Sequence, residues 1–121
     1  MSKYHSTISS FSFAISGLKS AIKDEPNIRI HLVLASIAIV LAIILGFSFS
    51  DWVILIFTIA FVLILELVNT AIEEIVDLIS PEFKDQAKRA KDVSAAAVLV
   101  SSLLSVIIAC FLYLPKIISL L

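Results

Sequence analysis

Residues 52–79 read WVILIFTIAFVLILELVNTAIEEIVDLI, a run without glycine or proline whose first fourteen residues carry no charge. The second half of the run includes four regularly spaced polar side chains, at Glu66, Asn69, Glu73 and Asp77. Their spacing of i, i+3, i+7 and i+11 puts all four on one side of an α-helix. Because a carboxylate inside a bilayer is costly, this stripe predicts a functional site on a membrane-spanning helix.

The composition of the whole chain is that of a membrane protein. Its 121 residues are 60% apolar and 16% charged, with a mean hydropathy of +1.11, whereas soluble proteins are about 45–50% apolar. The formal net charge of −1 provides no basic surface for nucleic acid. Cys110 is the single cysteine of the sequence, so no internal disulfide is expected. The length corresponds to one domain.

Three apolar segments approach or exceed the ~20 residues that cross a bilayer core. The first carries no charge from Leu32 to Ser50, and the third carries none from Val93 to Leu114. The second is the run quoted above, and one continuous helix fits it better than two short pieces because its acids keep to one side. The predicted transmembrane helices span about 28–49, 52–79 and 92–114.

A shorter periodic stretch precedes the first span. Apolar side chains recur at helical spacing from Phe11 to Ile22, with Lys19 and Lys23 on the opposite side. This pattern predicts a basic amphipathic helix over about 6–25 that lies on the membrane surface. The predicted fold is therefore all-α and integral to the membrane, with one surface helix and three transmembrane helices.

The basic residues predict the orientation of the chain in the membrane. Eight of the nine lie before the first span or between the second and the third, and only Lys116 lies on the other side. The eight are Lys3, Lys19, Lys23, Arg29, Lys84, Lys88, Arg89 and Lys91. By the positive-inside rule, the N-terminus and the loop at 80–92 are cytoplasmic and the C-terminus is outside.

Depth separates the roles that the polar stripe can take. Glu66 and Glu73 lie about 10 Å apart along a helix axis, with Glu66 the deeper of the two. A deep carboxylate can accept a proton, and a carboxylate at the rim can hold a divalent ion that arrives with a phosphate compound. Asn69 lies between them and can hydrogen-bond a carboxylate or a substrate oxygen. The structural alternative is an interhelical hydrogen-bond cluster, which three acids and one amide fit poorly.

Lys91 and Asp92 stand where the third transmembrane helix is expected to begin, directly after a mixed-charge loop over 81–90. A lysine at a helix start is unfavourable to the helix dipole, which indicates another role. It can bind phosphate oxygens together with the helix-start amides, or it can form an ion pair with Asp77 or Glu73. The spacing favours neither of these two roles.

Residues 25–31, Glu-Pro-Asn-Ile-Arg-Ile-His, join the surface helix to the first span. Glu25 is expected at the depth of Glu73, so these two carboxylates can share a metal ion. Two protein oxygens are too few for a closed metal site, but they suit Mg²⁺ that brings its waters and the phosphates of a nucleotide. His31 has two interpretations, a metal ligand or a hydrogen-bonding anchor at the membrane interface, and the anchor is the more common.

Two motifs resemble one known family. Glu66-Leu-Val-Asn-Thr-Ala-Ile-Glu-Glu-Ile-Val-Asp77, followed by Ala90-Lys-Asp-Val-Ser-Ala-Ala-Ala-Val-Leu99, resembles the bacterial diacylglycerol kinase/undecaprenol kinase family. The resemblance covers about residues 11–114. It implies a homotrimeric enzyme of the bacterial inner membrane, with active sites shared between protomers, that transfers the γ-phosphate of Mg-ATP to a lipid hydroxyl.

The resemblance also implies roles for individual residues. Glu66 would be the general base for the lipid hydroxyl, and Asn69 would orient the reacting groups. Glu25 and Glu73 would bind Mg²⁺ together with ATP, and Ala95 would join Glu66 at the lipid substrate. The other ATP-binding residues would be Phe13, Glu82, Phe83, Lys84, Lys91 and Asp92.

The chain departs from the proteobacterial pattern of that family in its first and last helices. Ser6 and Phe13 replace an arginine and a tyrosine near the nucleotide, and Ala95 replaces a serine, unless Ser94 takes its part. The stretch at 25–31 instead resembles the Gram-positive branch, many of whose members are undecaprenol kinases. The resemblance therefore favours undecaprenol over diacylglycerol as the substrate.

Two other classes of protein are alternatives to an enzyme. A small ion or proton transporter would need polar residues along the outer halves of its spans, but residues 52–65 hold only Thr58 as a hydroxyl. A non-catalytic assembly subunit would leave Lys91 and the metal-capable pair of Glu25 and Glu73 unexplained. A polar pocket that ends within the bilayer fits an enzyme acting on a membrane lipid best.

Overall fold

The computed structural model describes residues 6–121, which form four α-helices. These are α1 (Thr7–Asp24), α2 (Pro26–Ile44), α3 (Phe49–Ile79) and α4 (Asp85–Ile118). The last three are each long and apolar enough to cross a membrane, which confirms the predicted all-α architecture with three spans. The trimer is a property of several chains and stays a prediction. Lys3, which contributed to the predicted orientation, lies outside the described residues.

The junction of α1 and α2 is a sharp corner. Glu25 has an extended backbone, with φ −106° and ψ 107°, as residues before proline usually do. Pro26 then opens α2, where no amide hydrogen is required. Arg29 reaches back and donates hydrogen bonds to the carbonyls of Ile22 and Lys23 at the end of α1. Because those carbonyls lack partners within the helix, Arg29 fixes the corner that carries Glu25.

Local signals also define the turn between α2 and α3. Gly46 adopts a φ of 65°, a conformation that residues with a Cβ rarely take. Ser48 caps α3, because its Oγ accepts from the amide of Asp51 and its own amide donates to the Asp51 carboxylate. The turn therefore occupies residues 45–48, so α2 ends a little earlier and α3 begins a little earlier than predicted.

An aromatic cluster closes this end of the bundle. The ring of Phe47 is buried and lies 4.8 Å from that of Tyr113 and 6.1 Å from that of Trp52, measured between centroids. Nearby, Lys116 near the end of α4 lies 3.1 Å from the carboxylate of Asp51 at the start of α3. These contacts tie α4 to the turn between α2 and α3 and hold the three long helices together.

The other end of α4 corrects one prediction. The helix begins at Asp85 rather than near residue 92, because the intervening Gln, Ala, Lys and Arg residues favour helix. Asp85 lies in the first turn, where an acid complements the helix dipole, and Lys88 pairs with Asp92 one turn later. Lys91 therefore lies in the second turn of α4, and the prediction that it opens the helix is wrong.

The buried part of the bundle is small and partly polar. α4 packs mainly against α3, whereas α2 and α1 pack more lightly. Most large apolar side chains of the three long helices are exposed, as expected for helices that face lipid. The polar side chains that are buried among the described residues are Thr58, Glu66, Asn69, Thr70, Ser94 and Ser101. All six lie on α3 or α4, and three of them cluster with the predicted site.

Candidate active site

Glu66 lies beyond the middle of α3 and is almost completely buried, with an exposed fraction of 1%. Its Oε2 is the one buried side-chain atom of the described chain that has no hydrogen-bond partner. The Nε2 of His31 on α2 lies 3.8 Å from this oxygen, within ion-pair range but beyond a hydrogen bond. A buried carboxylate oxygen without a hydrogen-bond partner lowers the stability of the fold, so this arrangement points to a function.

Asn69 forms hydrogen bonds with two other side chains, Glu73 and Ser94. Its Nδ2 donates to Oε1 of Glu73, 3.1 Å away and one helical turn further along α3. Its Oδ1 accepts from Oγ of Ser94 on α4 at 2.7 Å. The amide is therefore held on both sides, with its nitrogen toward Glu73 and its oxygen toward Ser94. The polar stripe of the sequence thus continues across to the neighbouring helix.

Ser94 takes a position in this cluster that the sequence indicated only as an alternative. Its hydroxyl is buried, whereas Ala95, which was predicted to contact the lipid substrate, is exposed on α4. Ser94 is 25 positions from Asn69 in sequence, and no periodic pattern links two residues on different helices. The available signal was a hydroxyl directly before a run of three alanines in an apolar helix.

The lysine next to the cluster forms an ion pair. Lys91 contacts Asp77 across the α3–α4 interface, which is one of the two roles that the spacing left open. One turn before Lys91, Lys88 contacts Asp92. Both pairs are largely exposed, and exposed ion pairs contribute little to stability. Phosphate oxygens can therefore compete with Asp77 for the Lys91 ammonium.

A pocket of about 340 Å³ lies beside these pairs, between the end of α3 and the start of α4. It brings together five of the residues that the resemblance assigned to ATP, namely Glu82, Phe83, Lys84, Lys91 and Asp92. The ring of Phe83 and the lysines that line the pocket are suitable partners for the base and the phosphates of a nucleotide. The proximity of 82–84 to 91–92 follows from the short loop between the two helices.

The two predicted metal ligands have different neighbours within the chain. Glu25 lines a pocket of about 400 Å³ between α1 and α3, where the other acids are Asp24 and Glu74. Glu73 is hydrogen-bonded to Asn69 instead. No group of three His, Cys, Asp or Glu side chains in the described part of the chain is arranged to hold a metal ion. The metal site shared by Glu25 and Glu73 therefore stays a prediction.

An apolar cavity of about 270 Å³ lies between α2, α3 and α4. His31 is at the end of this cavity that lies near Glu66, and Tyr113 is near the aromatic cluster at the far end. The Tyr113 hydroxyl donates to the backbone carbonyl of Ala38, so it is not available inside the cavity. Apolar walls with one polar end suit a hydrocarbon chain whose hydroxyl lies near His31 and Glu66.

The fold and the site together define a class of protein. The chain is a helical membrane protein whose buried acid contacts His31, and His31 lines one end of an apolar cavity. A charged pocket lies between the end of α3 and the start of α4. These features are typical of a membrane enzyme that acts on lipid. The chain matches the model of the prokaryotic diacylglycerol kinase family over residues 12–113. It belongs to this family and is a membrane-bound lipid kinase that uses a nucleotide as phosphate donor.

Curated relatives carry two different names. The chain is 36% identical over 107 residues to the undecaprenol kinase of Bacillus subtilis (strain 168), covering 88% of this chain and 87% of that protein. It is 38% identical over 96 residues to the diacylglycerol kinase of Escherichia coli (strain K12), covering 79% of each. It is 38% identical over 112 residues to the diacylglycerol kinase of Synechocystis, covering 92% of this chain and 64% of that protein. The identities to the undecaprenol kinase and to the diacylglycerol kinases are too similar to decide which lipid is the substrate.

Proposed function

We propose that this protein transfers the γ-phosphate of Mg-ATP to undecaprenol and yields undecaprenyl phosphate. The observation that carries the proposal is the state of Glu66, whose carboxylate is buried at membrane depth and has one oxygen without a hydrogen-bond partner. In a lipid kinase this oxygen can take the proton of a hydroxyl that approaches through the apolar cavity. A lipid alcohol is the substrate that can reach it there.

The reaction requires one proton acceptor and several positioning groups. Glu66 takes the proton of the lipid hydroxyl while the hydroxyl oxygen forms a bond to the γ-phosphorus, and the bond to the β–γ bridging oxygen breaks to release ADP. Asn69, held by Glu73 and Ser94, orients the reacting groups. Lys91 leaves Asp77 and neutralises phosphate charge. Positioning and charge neutralisation supply most of the rate enhancement.

Glu25 and Glu73 are the residues that would hold Mg²⁺, which neutralises charge on the nucleotide phosphates when it is bound. Phe13 on α1 and the lining of the pocket at 82–84 would contact the nucleotide, and Ala95 would contact the lipid. Because Glu25 has Glu74 rather than Glu73 as its neighbour within one chain, we propose that copies of the chain complete each other's sites in a homotrimer.

The proposed location is the bacterial inner membrane, with the active site on its cytoplasmic side. The distribution of basic residues supports this orientation. Eight of the nine lie near α1 or near the start of α4, whereas Lys116 is the only basic residue near the end of α4. In this orientation the N-terminus is cytoplasmic and the C-terminus is outside. The nucleotide pocket then opens to the compartment that contains ATP.

Diacylglycerol, with phosphatidic acid as product, is the second candidate substrate. The stretch at 25–31 and the nearly full-length similarity to the Bacillus undecaprenol kinase favour undecaprenol, whereas similarity to two diacylglycerol kinases favours the alternative. A transporter is disfavoured, because the outer half of α3 buries only the hydroxyl of Thr58, which is bonded to its own helix.

The experiment that tests the proposal presents both lipids to one preparation. Purified protein in lipid bilayers receives radiolabelled ATP with undecaprenol or diacylglycerol, and labelled lipid is measured as an initial rate. We expect faster transfer to undecaprenol, and we expect Glu66→Gln to reduce kcat by about 10²–10⁴-fold because it removes the proton acceptor. Helix content and oligomeric state of the variant serve as the control. Near-normal turnover by Glu66→Gln would refute the role of Glu66, and faster transfer to diacylglycerol would reverse the choice of lipid.

A further inference from the structure

His31 is the one residue in the described chain that forms an ion-pair contact with Glu66. The contact joins His31 Nε2 to the same Glu66 Oε2 that lacks a hydrogen-bond partner. Its length of 3.8 Å is roughly 1 Å more than a hydrogen bond between such groups. The two atoms must therefore approach by about 1 Å before a proton can pass between them. The pair therefore has the geometry of a proton donor and acceptor that come into contact during a reaction.

Three other ionisable groups, near His31 in sequence or lining the same cavity, have partners of their own. On α2, Arg29 is bound to the carbonyls at the end of α1. At the end of α1, Asp24 accepts from a serine of its own helix. On α4, Tyr113 lines the same cavity, but its hydroxyl donates to a backbone carbonyl of α2. Glu66 on α3 is the acid that the structure brings into contact with His31.

The proposed reaction creates a need for such an exchange. The proton of the lipid hydroxyl arrives on Glu66, whose side chain is only 2% exposed, whereas the side chain of His31 is 20% exposed. The Asn69 amide cannot carry a proton, and the Thr70 hydroxyl donates to the backbone carbonyl of Glu66. Histidine exchanges protons near neutral pH. His31 thus lies between the buried acid and the surface of the chain.

We propose that His31 is the proton-relay partner of Glu66, an inference that rests on the proposed kinase function. After the new phosphate ester has formed, the O–H bond on Glu66 breaks and its proton joins the lone pair of His31 Nε2. Glu66 returns to a carboxylate, and His31 becomes an imidazolium that then releases the proton to water. His31 contacts neither the phosphate nor the reacting oxygen; it acts through Glu66 and resets it for the next turnover.

Chemical rescue distinguishes this relay from a structural role. We expect His31→Ala to lower kcat about 10- to 100-fold and to leave the KM for ATP within about twofold, since the nucleotide pocket is formed by other residues. Added imidazole can enter the space of the deleted ring and the adjoining cavity, and we expect it to restore kcat. At a fixed total concentration of imidazole, the rescued rate relative to wild type should rise with pH, because only the neutral form accepts a proton.

His31→Phe is the matched control, because the phenyl ring fills the same space but carries no proton. We expect it to have low kcat that imidazole does not restore. Wild-type kcat in His31→Ala, or low kcat that imidazole fails to restore in a folded variant, would overturn the relay. Should His31→Ala not fold, near-wild-type kcat in His31→Gln would overturn it, and at least a tenfold loss would support it. In all these cases the wild-type rate measures the proposed function separately, since that function fails only if wild-type protein phosphorylates neither lipid.

Discussion

Replacing Ser94 by alanine tests whether the amide of Asn69 must be held on both sides. Ser94 Oγ lies 2.7 Å from Asn69 Oδ1 and 3.0 Å from the backbone carbonyl of Lys91. The two acceptors share the one hydrogen of the hydroxyl, and the shorter contact, with the amide oxygen of Asn69, is the stronger of the two. Alanine removes this donor and leaves Asn69 Oδ1 as a buried acceptor without a partner. The hydrogen bond from Asn69 to Glu73 is unchanged.

The size of the effect follows from that geometry. An unpaired buried acceptor costs about 1–3 kcal/mol, and the bond to Glu73 still restrains one side of the amide, so we expect the lower part of this range. If the position of Asn69 matters in the transition state, about 1–2 kcal/mol corresponds to a decrease in kcat of about 5- to 30-fold. The KM for ATP should change by less than about twofold, because this bond does not contact the nucleotide pocket.

The assay is the initial rate of phosphate transfer from ATP to lipid, with each substrate varied in turn. Ser101→Ala is the matched control, since Ser101 is also a buried serine of α4 and lies two helical turns from Ser94. Its Oγ donates at 2.7 Å to the carbonyl of Val98 on its own helix. Removing it deletes a buried hydroxyl of the same helix without releasing Asn69, so kcat should stay within about twofold of wild type.

Equal effects of the two alanine variants on kcat would refute the argument, because they would assign the loss to packing of α4. A second comparison uses the Asn69→Ala background. If Ser94 acts only through Asn69, adding Ser94→Ala there should cause no further decrease in kcat. A further decrease of the original size in the double variant would show that Ser94 acts independently of the amide.

Two more pairs of substitutions test the nucleotide pocket and the fold. Lys91→Met should raise the KM for ATP about tenfold or more, because a charge-assisted contact to phosphate is lost. Asp77→Asn removes the other half of the ion pair and should leave kcat within about threefold. If a kinetic assay shows that both substitutions change the KM for ATP equally, a phosphate role for Lys91 is contradicted. Gly46→Ala should lower stability by about 1–2 kcal/mol, because a Cβ is strained at φ 65°. Gly17→Ala is its control, since it adds a Cβ in open space within α1 and favours helix; a thermal scan should show a decrease in Tm for Gly46→Ala only.

The helices that cross the membrane could be predicted because hydropathy is a local property of the sequence. α3 is the clearest case, since its apolar run, its acidic stripe and the Ser80–Pro81 pair after it all indicate one helix. The start of α4 could not be found in this way. Residues 85–91 are too polar to be recognised by hydropathy, and their helix depends on residue propensity and on the pairing of Lys88 with Asp92.

The site was predictable only as far as one helix extends. The helical period puts Glu66, Asn69 and Glu73 on one side of α3, and the structure links the last two by a hydrogen bond. The partners on other helices, His31 and Ser94, depend on how α2 and α4 rotate about their axes when they pack. A sequence pattern carries no information on that rotation. The same reason explains why the expected meeting of Glu25 with Glu73 stays a prediction.

The way in which hydroxyls are distributed around Glu66 supports its proposed role as a proton acceptor. Thr70 donates to the backbone carbonyl of Glu66, and Ser94 donates to the amide of Asn69. Neither hydroxyl is directed at Oε2, although a bond there would remove the cost of a buried unpaired oxygen. A hydroxyl bonded to Oε2 would occupy the lone pair that must receive a proton. Ser94 thus holds the amide and Thr70 bonds to the backbone of its own helix, so Glu66 Oε2 stays without a partner, as the proposed proton abstraction from a lipid alcohol requires.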